Sequence, residues 1–211
     1  PAEISCFIIL NVVAFPGERP TDFEDGTGWV TVMKLFFLDL VKKRISVRKY
    51  LDKVVEREKI EVCLEAARLA PSACNSQPWT FMVVDDPEIK SRLCNRIFSG
   101  PYRMNSFAEQ APVLVVVISE KSRFFAALGG LIRNTNFYLL DVGCAVEHFV
   151  LQAAELGLGT CWIGWFNEKE AKKVLPIPRN KKIDVVLSLG YPAINDKPRI
   201  RKSISEISKF V

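Results

Sequence analysis

Two short segments carry the residue types best suited to chemistry. Arg44-Ile45-Ser46-Val47-Arg48 sets two guanidiniums four residues apart, with a hydroxyl midway. Arginine grips a phosphate through paired, charge-assisted hydrogen bonds. If the segment is extended, Arg44 and Ser46 share a face. That suits a phosphate with a hydrogen-bonding chain or ring attached. Taken alone, Lys42-Lys43-Arg44 also reads as a solvated basic run after a helix. The second segment is Pro71-Ser72-Ala73-Cys74-Asn75-Ser76-Gln77-Pro78-Trp79. Small residues there let backbone approach a flat ligand, and the amides of Asn75 and Gln77 can read its edge. By itself Asn75-Ser76 is an ordinary turn.

Two further segments are weaker alone. Gly157-Leu158-Gly159-Thr160-Cys161-Trp162-Ile163-Gly164 offers bare backbone at a strand end, where a ring can stack. Without a ligand it is a common helix–turn–strand. Lys197-Pro198-Arg199-Ile200-Arg201 is a basic stretch near the C-terminus.

Other chemistries lack their residues. The six cysteines form no CxxC pair and mostly sit in apolar patterns, as reduced thiols of a cytoplasmic protein do. Cys74 is the thiol expected to be exposed. The single histidine, His148, sits in an apolar helix pattern and reads as a core or interface residue, not a base. No metal-ligand spacing occurs. GxGxxG after a strand, GxxxxGK[ST], HExxH and GxSxG are all absent. The net charge of +5 is spread along the chain. With no zinc-finger or RNP-type motif, it reads as a basic surface and not a nucleic-acid interface. That surface also attracts anionic nucleotides.

The elements that position these segments follow from periodicity. Helices are expected at about 34–43, at Glu56 to Leu69 and at about 87–97, with a loop over 100–110. Strands are expected at Thr80 to Asp85, Val113 to Ser119, Thr160 to Trp165 and Asp184 to Leu189. Leu131 to Leu156 reads as a long helix, apolar nearly all round, which belongs in a core or a subunit interface. Glu168 to Leu175 reads as a short helix. One domain with one central sheet is expected, α/β or α+β, and the pattern leaves strand order open. Residues 1–32 differ from the rest. Ile4 to Phe15 is an apolar run too short to span a bilayer and without a secretory signal's basic flank. Pro16 to Gly28 is acidic. The expectation is an atypical, non-native extension ahead of a natural start at Met33, with a real extension such as a dimer-embracing arm as the alternative, and the functional domain over 33–211.

The four segments, in this order from about Leu35 to the C-terminus, resemble the FMN-dependent nitroreductase family. The resemblance implies a nitroreductase-like α+β fold (an α/β sandwich): a central mixed sheet flanked by helices, in an intertwined homodimer with FMN at the interface. It implies that Arg44 and Ser46 contact the phosphate and ribityl chain, and Arg48 the pyrimidine edge. Pro71, Ser72, Asn75 and Gln77 approach the ring, and main chain of Ile163 and Gly164 lies near flavin N5 and O4. Lys197 and Arg199 complete the phosphate site. Position 45 is Ile, where many relatives carry a polar or basic residue. The implied reaction is ping-pong: NAD(P)H reduces the flavin at N5, which then reduces a nitroaromatic, quinone or similar small acceptor. The cofactor carries the chemistry, so no catalytic side chain is assigned. Within the family, reductive dehalogenation and flavin degradation are alternatives, and the lid region at about 98–110 and 120–133 does not choose between them. From a different class, so is a non-catalytic, redox-sensing flavin-binding module.

Overall fold

The structure is a computed structural model that describes residues 28–120, 135–193 and 199–211, with side chains from residue 36 onward. The chain divides into two compact units, Pro1–Leu38 and Asp39–Val211. Of the first, only the start of helix α1 (Gly28–Lys43) is described, and most of the proposed extension lies outside the described residues.

The second unit is built on four strands: β1 (Trp79–Val84), β2 (Val113–Ser119), β3 (Gly159–Ile163) and β4 (Lys182–Gly190). They form one sheet in the order β1-β2-β4-β3, with every neighbour antiparallel. A mixed sheet was expected. The parallel step among the described residues is a single bridge, Ser46 to Thr160, outside the named strands. The α+β class stands.

Strand parity separates two cores. Val113, Val115 and Val117 of β2 face one side, with α2 (Arg57–Arg68) and the long helix α4 (Phe137–Glu155). Leu114, Val116 and Ile118 face the other, with α3 (Pro87–Ile97) and α5 (Glu168–Val174). Because both faces are covered, β2 is buried along its whole length, which explains its unbroken apolar run. A bulge in β4 at Asp184 shifts the register and sends Ile183 and Val185 to opposite cores.

Most expected elements are present within two residues. One correction is Gly100–Gln110, which is 3-10 helix and not loop. Its i→i+3 bonds leave no 3.6-residue signature. Helix α4 begins at Phe137, and residues 131–134 lie outside the described set. It is long and apolar enough to cross a membrane by length and composition. Its inner face, from Val142 through Ala145, Val146, Phe149 and Val150 to Ala153, packs in the first core.

Candidate functional site

The arginine segment is a strap laid along the open edge of β3. Helix α1 ends at Lys43, and the Arg44 N–H still reaches the Leu40 carbonyl at 3.0 Å. The chain then extends. Ser46 bridges Thr160, and the Val47 N–H donates to the Thr160 carbonyl at 2.9 Å. This run is extended, so Val47 points inward and is buried while Ser46 and Arg48 stay exposed. Val47 sits directly on Gly159, where an added Cβ would lie 2.6 Å from Val47 Cγ2. Glycine is therefore required at that crossing. Tyr50 fixes the far end. Its buried hydroxyl is 2.9 Å from the Val47 carbonyl, to which it donates, and 2.7 Å from Ser188 Oγ of β4. Burial pushes the Tyr50 phenol well above its ordinary value, so it stays a neutral donor.

Beside the strap is a cavity of about 530 Å3, within the roughly 300–1,000 Å3 span of small-molecule sites. Its walls combine Lys42, Lys43, Arg44 and Arg199 with the backbone of Gly157 and Gly159. Arg199 donates to the carbonyls of Val41 (2.6 Å) and Lys42 (3.2 Å), capping the end of α1. Partial burial, then the Arg44 and Arg201 charges, push the Arg199 guanidinium down from its ordinary value. Arg44 meets Glu147 of α4 only loosely, at 3.9 Å. Four cations, Lys42, Lys43, Arg44 and Arg199, thus face this cavity against one lining carboxylate, Glu155, and the balance of charge favours an anion.

Arg48 leaves this cavity and lies over the Phe107 ring, 5.7 Å from its centroid. Under the strap, burial pushes the Cys161 thiol up, partly offset by Arg48 and Arg44. Burial likewise raises Cys63 to about 12 and Cys94 to about 11. These thiols are inert at neutral pH. All five described cysteines are free. Past the strap, Ile163 is buried in the second core, while Gly164 is exposed with nothing within 4 Å of where a Cβ would stand. Trp165 frames it, stacked at a tilt on Tyr102 with 5.2 Å between centroids and donating its indole N–H to the Pro101 carbonyl.

Pro71, Ser72, Asn75 and Gln77 lie elsewhere in the chain. They form a loop before β1, at the sheet edge opposite β3. Three strand spacings, about 14 Å, separate those edges. The loop is hydrogen-bonded to Asp141 near the start of α4, whereas Ala154 and Glu155 at its other end line the cavity. Thirteen residues of helix make that offset about 20 Å. No residue of 71–77 is among the cavity's described lining. The chain thus gathers Arg44, Ser46, Arg48, Ile163, Gly164 and Arg199 along one edge and the amide loop along the other. Lys197 lies outside the described residues.

Two positions escaped the sequence reading. Tyr50 gave no signal beyond an aromatic after the arginines. Asp141 gave none either, as one of three acidic residues in a largely apolar helix. His148, expected in a core or interface, is half-buried with Nδ1 3.2 Å from the Ala66 carbonyl, between α4 and α2.

Comparison with known proteins adds the lineage. The sequence pattern of the nitroreductase family matches residues 41–191. An Archaeoglobus fulgidus protein, provisionally named NADH dehydrogenase/NAD(P)H nitroreductase, is 33% identical over 159 residues, 74% of this chain and 84% of that one. An iodotyrosine deiodinase of Thermotoga neapolitana is 29% identical over 195 residues, 83% and 96% of the two chains. In three dimensions, a nitroreductase family protein from Clostridium novyi NT superposes with a TM-score of 0.65 at 31% identity, covering 74% of this chain and 84% of its own. The matched span runs from the strap to the end of β4, and the chain belongs to the nitroreductase family.

Proposed function

We propose that this protein is an FMN-dependent oxidoreductase that takes electrons from NAD(P)H and delivers them to nitroaromatics, quinones or similar small acceptors. The observation that carries the reading is the cavity walled by Arg44, Arg199 and the glycine backbone of 157–159. It matches a dianionic phosphate on a slender chain. Arg44 and Arg199 would hold the phosphate and Ser46 the adjoining hydroxyls, with Lys197 assigned beside them on the family's pattern. Arg48, backed by Phe107, holds a fixed positive charge where the pyrimidine edge would lie. Exposed main chain at Gly164 leaves room for a ring to rest against backbone. Bound FMN supplies hydride acceptance and release there, a task that needs no acid–base pair from the protein.

The amide loop belongs to the same site in this reading, but across a homodimer. Pro71, Ser72, Asn75 and Gln77 of one copy would complete the cavity of the other. The separation of about 20 Å along α4 supports this, as does the apolar outer stripe of that helix, Leu139, Leu140 and Cys144. So does the C-terminal run of Ile200, Ile204, Ile207 and Phe210, exposed at 91%, 75%, 70% and 97%. The expected location is the cytoplasm.

The test is the visible spectrum of purified protein before and after anaerobic NADH, then NADPH. Flavin bands that bleach are expected, and the nucleotide that bleaches them faster is the donor. Bands that persist would favour a flavin-binding sensor. A colourless protein that takes up no added FMN would overturn the reading. Reductive dehalogenation is a second reading, favoured by the deiodinase relative. Release of halide from a halotyrosine by dithionite-reduced protein would support it.

A further inference from the structure

The loop before β1 holds an unusual backbone. Cys74, Asn75 and Gln77 have φ of 53°, 51° and 46°, three left-handed residues within four positions and none of them glycine. Each is disfavoured because its Cβ crowds the following carbonyl. Strain of this kind persists only where the surroundings impose it, and it clusters at ligand clamps. Here the imposing group is Asp141. It sits on the inner side of α4, only 7% exposed, among Val142, Ala145 and Val146. A carboxylate there is costly unless its oxygens are satisfied. Its Oδ1 accepts the Ala73 N–H at 3.0 Å and its Oδ2 the Ser76 hydroxyl at 3.4 Å. One carboxylate therefore clamps both flanks of Cys74–Asn75. The Ser72 hydroxyl adds a third tie, accepting the Gln77 N–H at 2.9 Å.

The clamp has a visible product. With the backbone turned left-handed, Gln77 Nε2 donates to Asn75 Oδ1 at 3.0 Å, and both amides face outward. Locked together, they present a fixed donor and acceptor edge instead of two independent rotors. A relaxed loop would lose that register. Preorganised groups bind more tightly because their ordering is complete before the ligand arrives.

We propose that Asp141 is the positioning residue that sets the Asn75–Gln77 amide pair for the edge of the flavin ring. This rests on the reading of the loop as half of an FMN site. Asp141 touches no ligand itself and acts through the loop backbone.

The experiment compares wild type, Asp141→Asn, Cys74→Gly and the double variant. Asparagine keeps one acceptor oxygen and loses the other, so one arm of the clamp opens. Glycine at 74 accepts the left-handed conformation without the Cβ penalty and so replaces the clamp's action without restoring its bonds. Two quantities are read on the full-length protein: hydrogen exchange at the Ala73 amide in FMN-free protein, and the FMN dissociation constant by flavin fluorescence. Asp141→Asn is expected to speed Ala73 exchange and weaken FMN, each by tenfold or more. Adding Cys74→Gly should recover most of the affinity, and Cys74→Gly alone should leave it unchanged. A merely structural carboxylate predicts no rescue, because glycine at 74 fills nothing and bonds nothing. Weakened binding without rescue overturns the proposal, as does unchanged binding in Asp141→Asn. Wild-type protein that takes up no FMN sinks the cofactor reading and this proposal together, which separates that failure from a failure of Asp141 alone. If Asp141→Asn does not fold, Ser76→Ala removes the Oδ2 partner with Asp141 in place. A severalfold loss of affinity, again rescued by Cys74→Gly, is then expected, and no loss overturns the proposal.

Discussion

Arg44 and Arg199 share a cavity, but they have different second duties. Arg199 also caps α1 through the Val41 and Lys42 carbonyls, while the ion pair of Arg44 among the described residues is the distant one with Glu147. Arg44→Gln should therefore weaken FMN by about 10- to 100-fold, as expected when a charge-assisted contact of roughly 1.5–3 kcal/mol is lost, with little change in melting temperature. Arg199→Gln should lower both. Parallel fluorescence titrations and thermal melts check this, and equal melting losses would refute the division of duties. At this scale the sequence was informative about the strap. The spacing of Arg44, Ser46 and Arg48 is local, so it survives in one dimension. Asp141 was not legible, because its partners lie 65 and 68 residues away and a hydrogen bond to a backbone N–H leaves no mark on residue type. Tyr50 was missed for the same reason, its partner Ser188 being 138 residues distant.

The strap stays in place through close packing at Gly159. Gly159→Ala would push a methyl into Val47, at 2.6 Å from Cγ2. Such overpacking costs about 1–3 kcal/mol. The expected result is a lower denaturation midpoint together with weaker FMN binding, because the same crossing positions Arg44 and Arg48. A midpoint equal to wild type would mean the strap yields freely. Helix α5 depends on charge instead. Burial raises the Glu168 carboxyl, but Lys172, Lys182 and the Ile183 N–H outweigh it and hold the group at about 2. A lowered folded value means that the stabilisation is present above the ordinary glutamate range. It is lost as pH falls from about 4.5 towards about 2. Glu168→Gln should lower stability at neutral pH and flatten the acid limb of a stability-against-pH curve within that window. Element bounds were largely readable because apolar period reports burial directly. Val113–Ser119 reads as a buried strand from its composition alone. Gly100–Gln110 did not, since a 3-10 turn carries no such period.

Strand order was the least legible property of the whole molecule. Nothing local says that β1 and β3 become opposite edges, yet this separates the amide loop from the arginine cavity. In a single chain the described residues of the four segments fall into two groups, one at each edge of the sheet. The homodimer reading makes a direct prediction. Leu140, 60% exposed on the outer face of α4, would be covered by a second copy. Leu140→Glu should shift sedimentation from dimer to monomer and lower FMN affinity at the same time. A monomeric variant that still binds FMN as wild type does would show that one chain suffices.

The hydroxyl pair of Tyr50 and Ser188 also sets a timetable. The strap cannot be fastened until β4 exists, 138 residues after Tyr50 in the chain. At ribosomal speeds of about 5–20 residues per second that delay is about seven to twenty-eight seconds. During it Arg44 and Arg48 have been made but have no wall to lie against. A nascent chain therefore carries an unfastened strap until β4 has formed, and Arg44 and Arg48 take their final places only after it.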